Sequence, residues 1–154
     1  MAKLRTEERI VNHSILLVSS NIPALRQQEA RLTRAGYNVC IARNVFEAEI
    51  ELRATLFSLV ITDLRMWQSD LTEGLRVVET VKALRTGMPV LVLTSSTNLD
   101  LHRQARNLGV LDIISEKTPL PELDLRIAKI LHEMYGSRVS VPAATRTPST
   151  PQFK

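Results

Sequence analysis

The residues able to do chemistry in this 154-residue chain stand just behind short apolar runs. Ser19-Ser20-Asn21 follow the first run, Asp63 the third, Thr94-Ser95-Ser96 the fourth and Ser115-Glu116-Lys117 the fifth. A carboxylate flanked by a hydroxyl and an ammonium suits phosphoryl chemistry. Asp63 would be the nucleophile, with Thr94 and Lys117 stabilising charge on the phosphoryl oxygens. The same residues also admit a plainer reading, in which Asp63 caps a loop and Thr94 to Thr97 cap a helix.

Other chemistries find no footing. No Gly-x-x-x-x-Gly-Lys occurs, so there is no Walker loop. Ser19-Ser20-Asn21 lacks the glycine of a phosphate cradle and reads better as a helix cap ahead of Pro23. Cys40 is alone, which excludes a disulfide or a thiolate zinc site within one chain and leaves a small buried strand residue. His13, His102 and His132 have no metal-ligand spacing, and the last two fall in helical stretches rather than at strand ends, so no Ser/His/Asp set forms. An enzyme is therefore not expected. A small flavin protein or enzyme on the same fold is the distant alternative.

The elements that must position these residues alternate. Ser14-Val18, Asn38-Ala42, Ser58-Thr62, Pro89-Thr94 and Leu111-Ser115 are brief, rich in Val, Ile and Leu, and not polar-alternating. Strands buried on both faces read this way. Between and after them lie stretches of helical spacing. Leu25, Leu32 and Ala35 mark the first; Val45, Ala48, Leu52 and Leu56 the second; Leu75, Val78 and Val81 the third; Leu101, Ala105 and Leu108 the fourth. Leu120, Leu123, Ile127, Ile130 and Met134 mark the last, a stripe expected to face the core. Gly36, Gly87 and Gly109 stand where the first, third and fourth helices would end in a left-handed residue. Pro23 opens the first helix and Pro119 or Pro121 the last. The expected fold class is α/β, a (βα)5 doubly wound five-stranded parallel sheet of order 2-1-3-4-5, flavodoxin-like. Ligands of such sheets bind outside the carboxyl ends of the strands, where the chemistry-bearing residues lie.

Hydrophobic residues make up 44% and charged residues 23%, the balance of a chain that folds rather than stays disordered. Three regions are expected: a charged N-terminal lead-in over 1–13, the domain over 14–136, and a flexible Pro/Ser/Thr tail over 137–154. The net charge of +4 sits wholly in the two ends, and the body between them is balanced. A balanced body lacks the basic face that binds phosphate backbones, so nucleic acid is not an expected partner. No run spans a bilayer and no secretory leader opens the chain, so a cytoplasmic protein is expected and no membrane partner.

In order along the chain, ILLVSSN, VITDLRM, PVLVLTSS and GVLDIIS with a lysine close behind resemble the receiver domain of two-component response regulators, over about residues 14 to 134. The resemblance implies that Asp63 is the phosphoacceptor, Thr94 the switch hydroxyl and Lys117 the candidate for the phosphoryl-contacting lysine. Met66 matches the family's methionine three residues past the acceptor. Several positions depart from the pattern. Ser19 and Ser20 replace the two acids that help hold Mg²⁺, leaving Asp63 as anionic ligand of a weak Mg²⁺ site at best. Trp67 replaces a proline, and three extra residues precede Gly74. Ile113 replaces the aromatic switch residue. A gapless count puts Glu116 where the lysine belongs, and Lys117-Thr118-Pro119 replaces the Lys-Pro step. Arg65, two residues past Asp63, is either a solvent-facing loop side chain or, like Lys117, a cation that pairs with Asp63.

The expected function is a single-domain, atypical receiver, a signalling switch or docking module in a phosphorelay, with Mg²⁺-assisted phosphorylation of Asp63 impaired. The alternative is a competent receiver phosphorylated on Asp63 by a histidine kinase. Its partner would be that kinase or another signalling protein. Self-association would use helix 4, strand 5 and helix 5. The 18 residues after the domain are too few for an effector domain, so output is expected to pass through a separate partner or the tail.

Overall fold

The computed structural model describes residues 12–64 and 73–136. Arg65, Met66, Trp67, the lead-in up to residue 11 and the 137–154 segment lie outside the described residues. Five strands alternate with five helices: β1 (Ser14–Val18), α1 (Ile22–Arg34), β2 (Asn38–Ala42), α2 (Val45–Ala54), β3 (Leu59–Thr62), α3 (Glu73–Leu84), β4 (Val90–Thr94), α4 (Leu99–Asn107), β5 (Asp112–Ser115) and α5 (Leu120–Tyr135). The strands form one parallel sheet of order β2-β1-β3-β4-β5, the expected doubly wound topology.

Alternation along each strand sorts the core into two layers, because successive side chains point to opposite faces. Leu16, Val18, Val60 and Val90 face Ala48 and Leu52 of α2 and Val77, Val78 and Val81 of α3. Ile15, Leu17, Leu59, Ile61 and Leu91 face Leu25 and Leu32 of α1 and Leu123, Ile127 and Leu131 of α5. Helix α4 covers less, seating Leu101 and Ala105 with Leu64, Leu75 and Val92.

Side-chain amides start three helices. Asn21 Oδ1 accepts from Ala24 N at 3.2 Å, Asn44 Oδ1 from Glu47 N at 2.8 Å, and Asn98 Oδ1 from Asp100 N and Leu101 N at 2.9 and 3.1 Å. Pro119 stands at the N-cap of α5, with Pro121 inside its first turn. Gly36 and Gly109 have φ of 104° and 96°, the left-handed values expected of them. Gly87 does not: α3 ends at Leu84 and Gly87 lies in the following turn without positive φ. The last helix ends instead on such a residue, Gly136, at φ 86°.

Three further expectations need correcting. Burial on both faces holds for β1 and β3 at the sheet centre but not for the edge strand β2, where Asn38 is exposed and Val39, Cys40 and Ile41 are half-buried. An edge strand has a neighbour on one side only. In the second helical stretch Leu56 is 78% exposed beyond the end of α2, and Phe57 enters the core instead. On α5 the buried stripe is Leu123, Ile127 and Leu131, while Leu120 and Met134 are exposed. A step of four residues keeps those three on one helix face, and Leu120 and Met134 sit in the first and last turns of the helix.

Candidate functional site

Backbone hydrogen bonds set the site. Asp63 N donates to Val18 O at 3.2 Å, which places the carboxylate beside the end of β1. Thr62 Oγ1 donates to Asp63 O at 3.1 Å. Glu116 N donates to Thr94 O at 3.0 Å, carrying the start of the β5–α5 loop onto the end of β4. Ser19, Asn21, Thr62, Asp63, Glu116 and Leu120 thus line one cleft of about 580 Å³ that continues along α1.

Each expected residue has its place. Asp63 is half-buried at the end of β3. Ser19 Oγ accepts from Asn21 N at 3.1 Å, so this hydroxyl already serves the turn into α1. Ser20 is half-buried in that turn. Thr94 is 2% exposed and its Oγ1 accepts from Ser96 N at 3.1 Å in the turn after β4; the cap of α4 is Asn98, not Thr94 to Thr97 as the plainer reading had it. Ile113 packs partly buried against the layer under α4. Arg65 lies outside the described residues.

Position 116 carries the main electrostatic feature. Glu116 lines the cleft together with Asp63, whereas Lys117 does not. Burial first, and the Asp63 charge second, push the Glu116 carboxyl above its ordinary value, with Lys117 pulling it down. Two carboxylates therefore line one cleft, each charge opposing the other. In the same loop Lys117 N donates to Ser115 Oγ at 3.0 Å.

Two residues that shape the site escaped the sequence reading. Glu73, 6% exposed, receives the Val45 amide on Oε2 at 2.9 Å and so ties the start of α3 to the start of α2. Gly74 N donates to Leu64 O at 3.2 Å, and a Cβ there would lie 2.1 Å from Asp63 O and 2.3 Å from Leu64 Cα. This glycine is required by close backbone approach. An acid and a glycine opening a helical stretch were the available signal. Glycine is otherwise disfavoured inside a helix.

Receiver domains typically hold Mg²⁺ at an acidic pocket, and the donors here fit one poorly. Serines stand at 19 and 20, the Ser19 hydroxyl is engaged, and no three His, Cys, Asp or Glu side chains converge among the described residues. Mg²⁺ binds through carboxylates in near-octahedral geometry. Here one carboxylate follows β3, and Glu116 is the other carboxylate lining the cleft.

Comparison with known proteins agrees with this geometry. The response regulator receiver domain family matches residues 15–128. The transcriptional regulatory protein ZraR of Escherichia coli K12 is 29% identical over 134 residues, covering 87% of this chain and 30% of that protein. The swarming motility regulation protein RssB of Serratia marcescens is 27% identical, covering 80% of this chain and 55% of its own. This chain therefore spans about a third to a half of these relatives' lengths. A response regulator receiver protein from Pseudomonas putida superposes with a TM-score of 0.70 at 26% identity over 77% of this chain and 98% of its own. A CheY-like receiver domain protein from Methanospirillum hungatei JF-1 gives 0.74 at 24% identity over 80% of this chain and 96% of its own. With the fold, the strand-end residues and the family match in agreement, the chain belongs to the response regulator receiver domain family.

Proposed function

We propose that this chain is an atypical receiver that signals by docking to partner proteins and in which phosphorylation of Asp63 is impaired. The observation that carries this reading is the Glu116 carboxylate lining the cleft with Asp63. A phosphoryl group on Asp63 would bring further negative charge against Glu116, where the family pattern supplies a lysine to neutralise it. Serines at 19 and 20 withdraw metal assistance at the same point, so any Mg²⁺ binds weakly through Asp63. Ile113 cannot report Thr94 by rotating a ring. In this reading the domain, 14–136, works in the cytoplasm without catalytic activity, its partner a histidine kinase or another signalling protein. Among the described residues no helix is long and apolar enough to cross a membrane.

A second reading keeps Asp63 as a working acceptor, with Thr94 and a re-aimed Lys117 contacting the phosphoryl group. The placement of Asp63 and Thr94 at the ends of neighbouring strands favours it. Intact mass after incubation with acetyl phosphate and Mg²⁺ separates the two. The wild type is expected to gain little and Glu116→Lys to gain a phosphoryl mass, with Asp63→Asn as the blank. Full uptake by the wild type, absent from Asp63→Asn, would establish the second reading.

A further inference from the structure

At the end of the sheet opposite the Asp63 cleft, three residues from distant parts of the chain meet. His13, immediately before β1, is 5% exposed. Its Nδ1 lies 2.8 Å from Ser58 Oγ. The Tyr135 hydroxyl, in the last turn of α5, donates to the Ser58 carbonyl at 2.7 Å. The His13 and Tyr135 rings lie 5.2 Å apart between centroids, tilted by 35°. His13 Nε2 is buried and has no hydrogen-bond partner among the described residues. Gly136 then ends the helix, and the chain runs on into the 137–154 segment.

This arrangement accepts a neutral imidazole and rejects a charged one. In the neutral tautomer with its proton on Nδ1, that nitrogen donates to Ser58 Oγ and Nε2 costs only an unused lone pair. In the imidazolium both nitrogens carry protons. Among the described residues the Nε2 proton would be buried without an acceptor, and the charge would have no counter-ion. From β2 the neighbour is the Asn38 amide, which donates to the His13 carbonyl at 2.9 Å. From the segment before β3 it is the Ser58 hydroxyl. From α5 it is the Tyr135 ring, whose phenol burial pushes up and keeps neutral. Burial alone holds the His13 imidazole below its ordinary value, with no carboxylate contributing.

We propose that the last turn of α5 is a proton-operated latch: protonation of His13 in mild acid breaks the Ser58–Tyr135 clasp and frees the turn from which the 137–154 segment continues. The sign follows from linkage. A histidine lowered in the folded state leaves the latch fully closed above its ordinary value of 6.5. The latch loosens as pH falls from there towards the lowered value. Within that window the closed-to-open ratio drops up to about tenfold per pH unit.

The test is NMR on the full chain between about pH 7.5 and pH 5, following the His13 ring and the amide protection of Leu131 to Tyr135. Protection there is expected to fall with the His13 titration, while Leu123 and Ile127 stay protected. His13→Gln, which cannot titrate, is expected to abolish the pH dependence. Tyr135→Phe keeps the ring but removes the clasp, and should show at neutral pH the low protection that the wild type reaches only in acid. Protection that is flat with pH in the wild type, or falls identically in His13→Gln, overturns the latch. So does a Tyr135→Phe protein with wild-type protection throughout, and this last variant decides the matter should His13→Gln fail to fold.

Discussion

At Glu116 a single side chain changes both the chemistry and the stability of the site. Its carboxyl is raised from an ordinary value of 4.5 by burial and by Asp63. An acid raised in the folded state imposes no penalty below its ordinary value, and imposes an increasing one as pH climbs through the raised value. Glu116→Gln should therefore be more stable than the wild type at neutral pH. Because the side chain is exposed and screened, the gain is only about 0.5 kcal/mol. Urea midpoints at neutral pH and near pH 4 test this, since the difference should vanish in acid. Gly74 is the other sensitive residue. An alanine methyl would strike the Asp63 and Leu64 backbone, which cannot swing aside as a side chain can. Gly74→Ala is expected to cost about 3 kcal/mol in chemical denaturation and to displace Asp63.

Among the described helices, α4 is the shortest. It has nine residues and buries Leu101 and Ala105 alone, so its ends depend on capping. Asn98 accepts two of its first-turn amides. Asn98→Ala should cost about 1 kcal/mol, with the amides of Asp100 and Leu101 the first to lose exchange protection. Helix α5 is held at both ends of its packing face. Asp124 accepts from Arg31 Nε of α1 at 2.8 Å, and the Tyr135 hydroxyl closes on Ser58. Leu125, 71% exposed on this helix, and Leu99, 74% exposed on α4, lie on the elements proposed for self-association. If copies pair there, Leu125→Lys should lower the sedimentation-equilibrium mass to that of one chain while leaving the circular dichroism spectrum intact.

For the molecule as a whole, stability rests on the two layers either side of the sheet. Ile127 is fully buried among Ile15, Leu17, Leu91 and their neighbours. Ile127→Ala should cost about 3 kcal/mol by urea denaturation, the lost transfer energy plus the cavity left behind. The same topology explains why the edge carrying the candidate residues could be expected in advance: in a doubly wound sheet the residues at the strand ends emerge at the carboxyl edge, as Asp63, Thr94 and Glu116 do.

Strand and helix order, the parallel sheet, the residues at the strand ends and the serines at 19 and 20 were legible before any packing was known, because they follow from local periodicity and residue type. Boundaries were less legible. Leu56, Leu120 and Met134 each sit where the local pattern continues but burial stops, and no local signal marks that limit; Gly87 follows a helix that ends three residues earlier. The tertiary structure puts Glu116 rather than Lys117 in the lining of the Asp63 cleft, a one-residue difference in a loop that no local pattern fixes. It alone revealed Glu73 bridging two helix starts, Gly74 against Asp63, and His13 clasped under Tyr135. Those contacts join residues far apart in the chain, and pairing across such distances is set by the packed geometry of the whole domain.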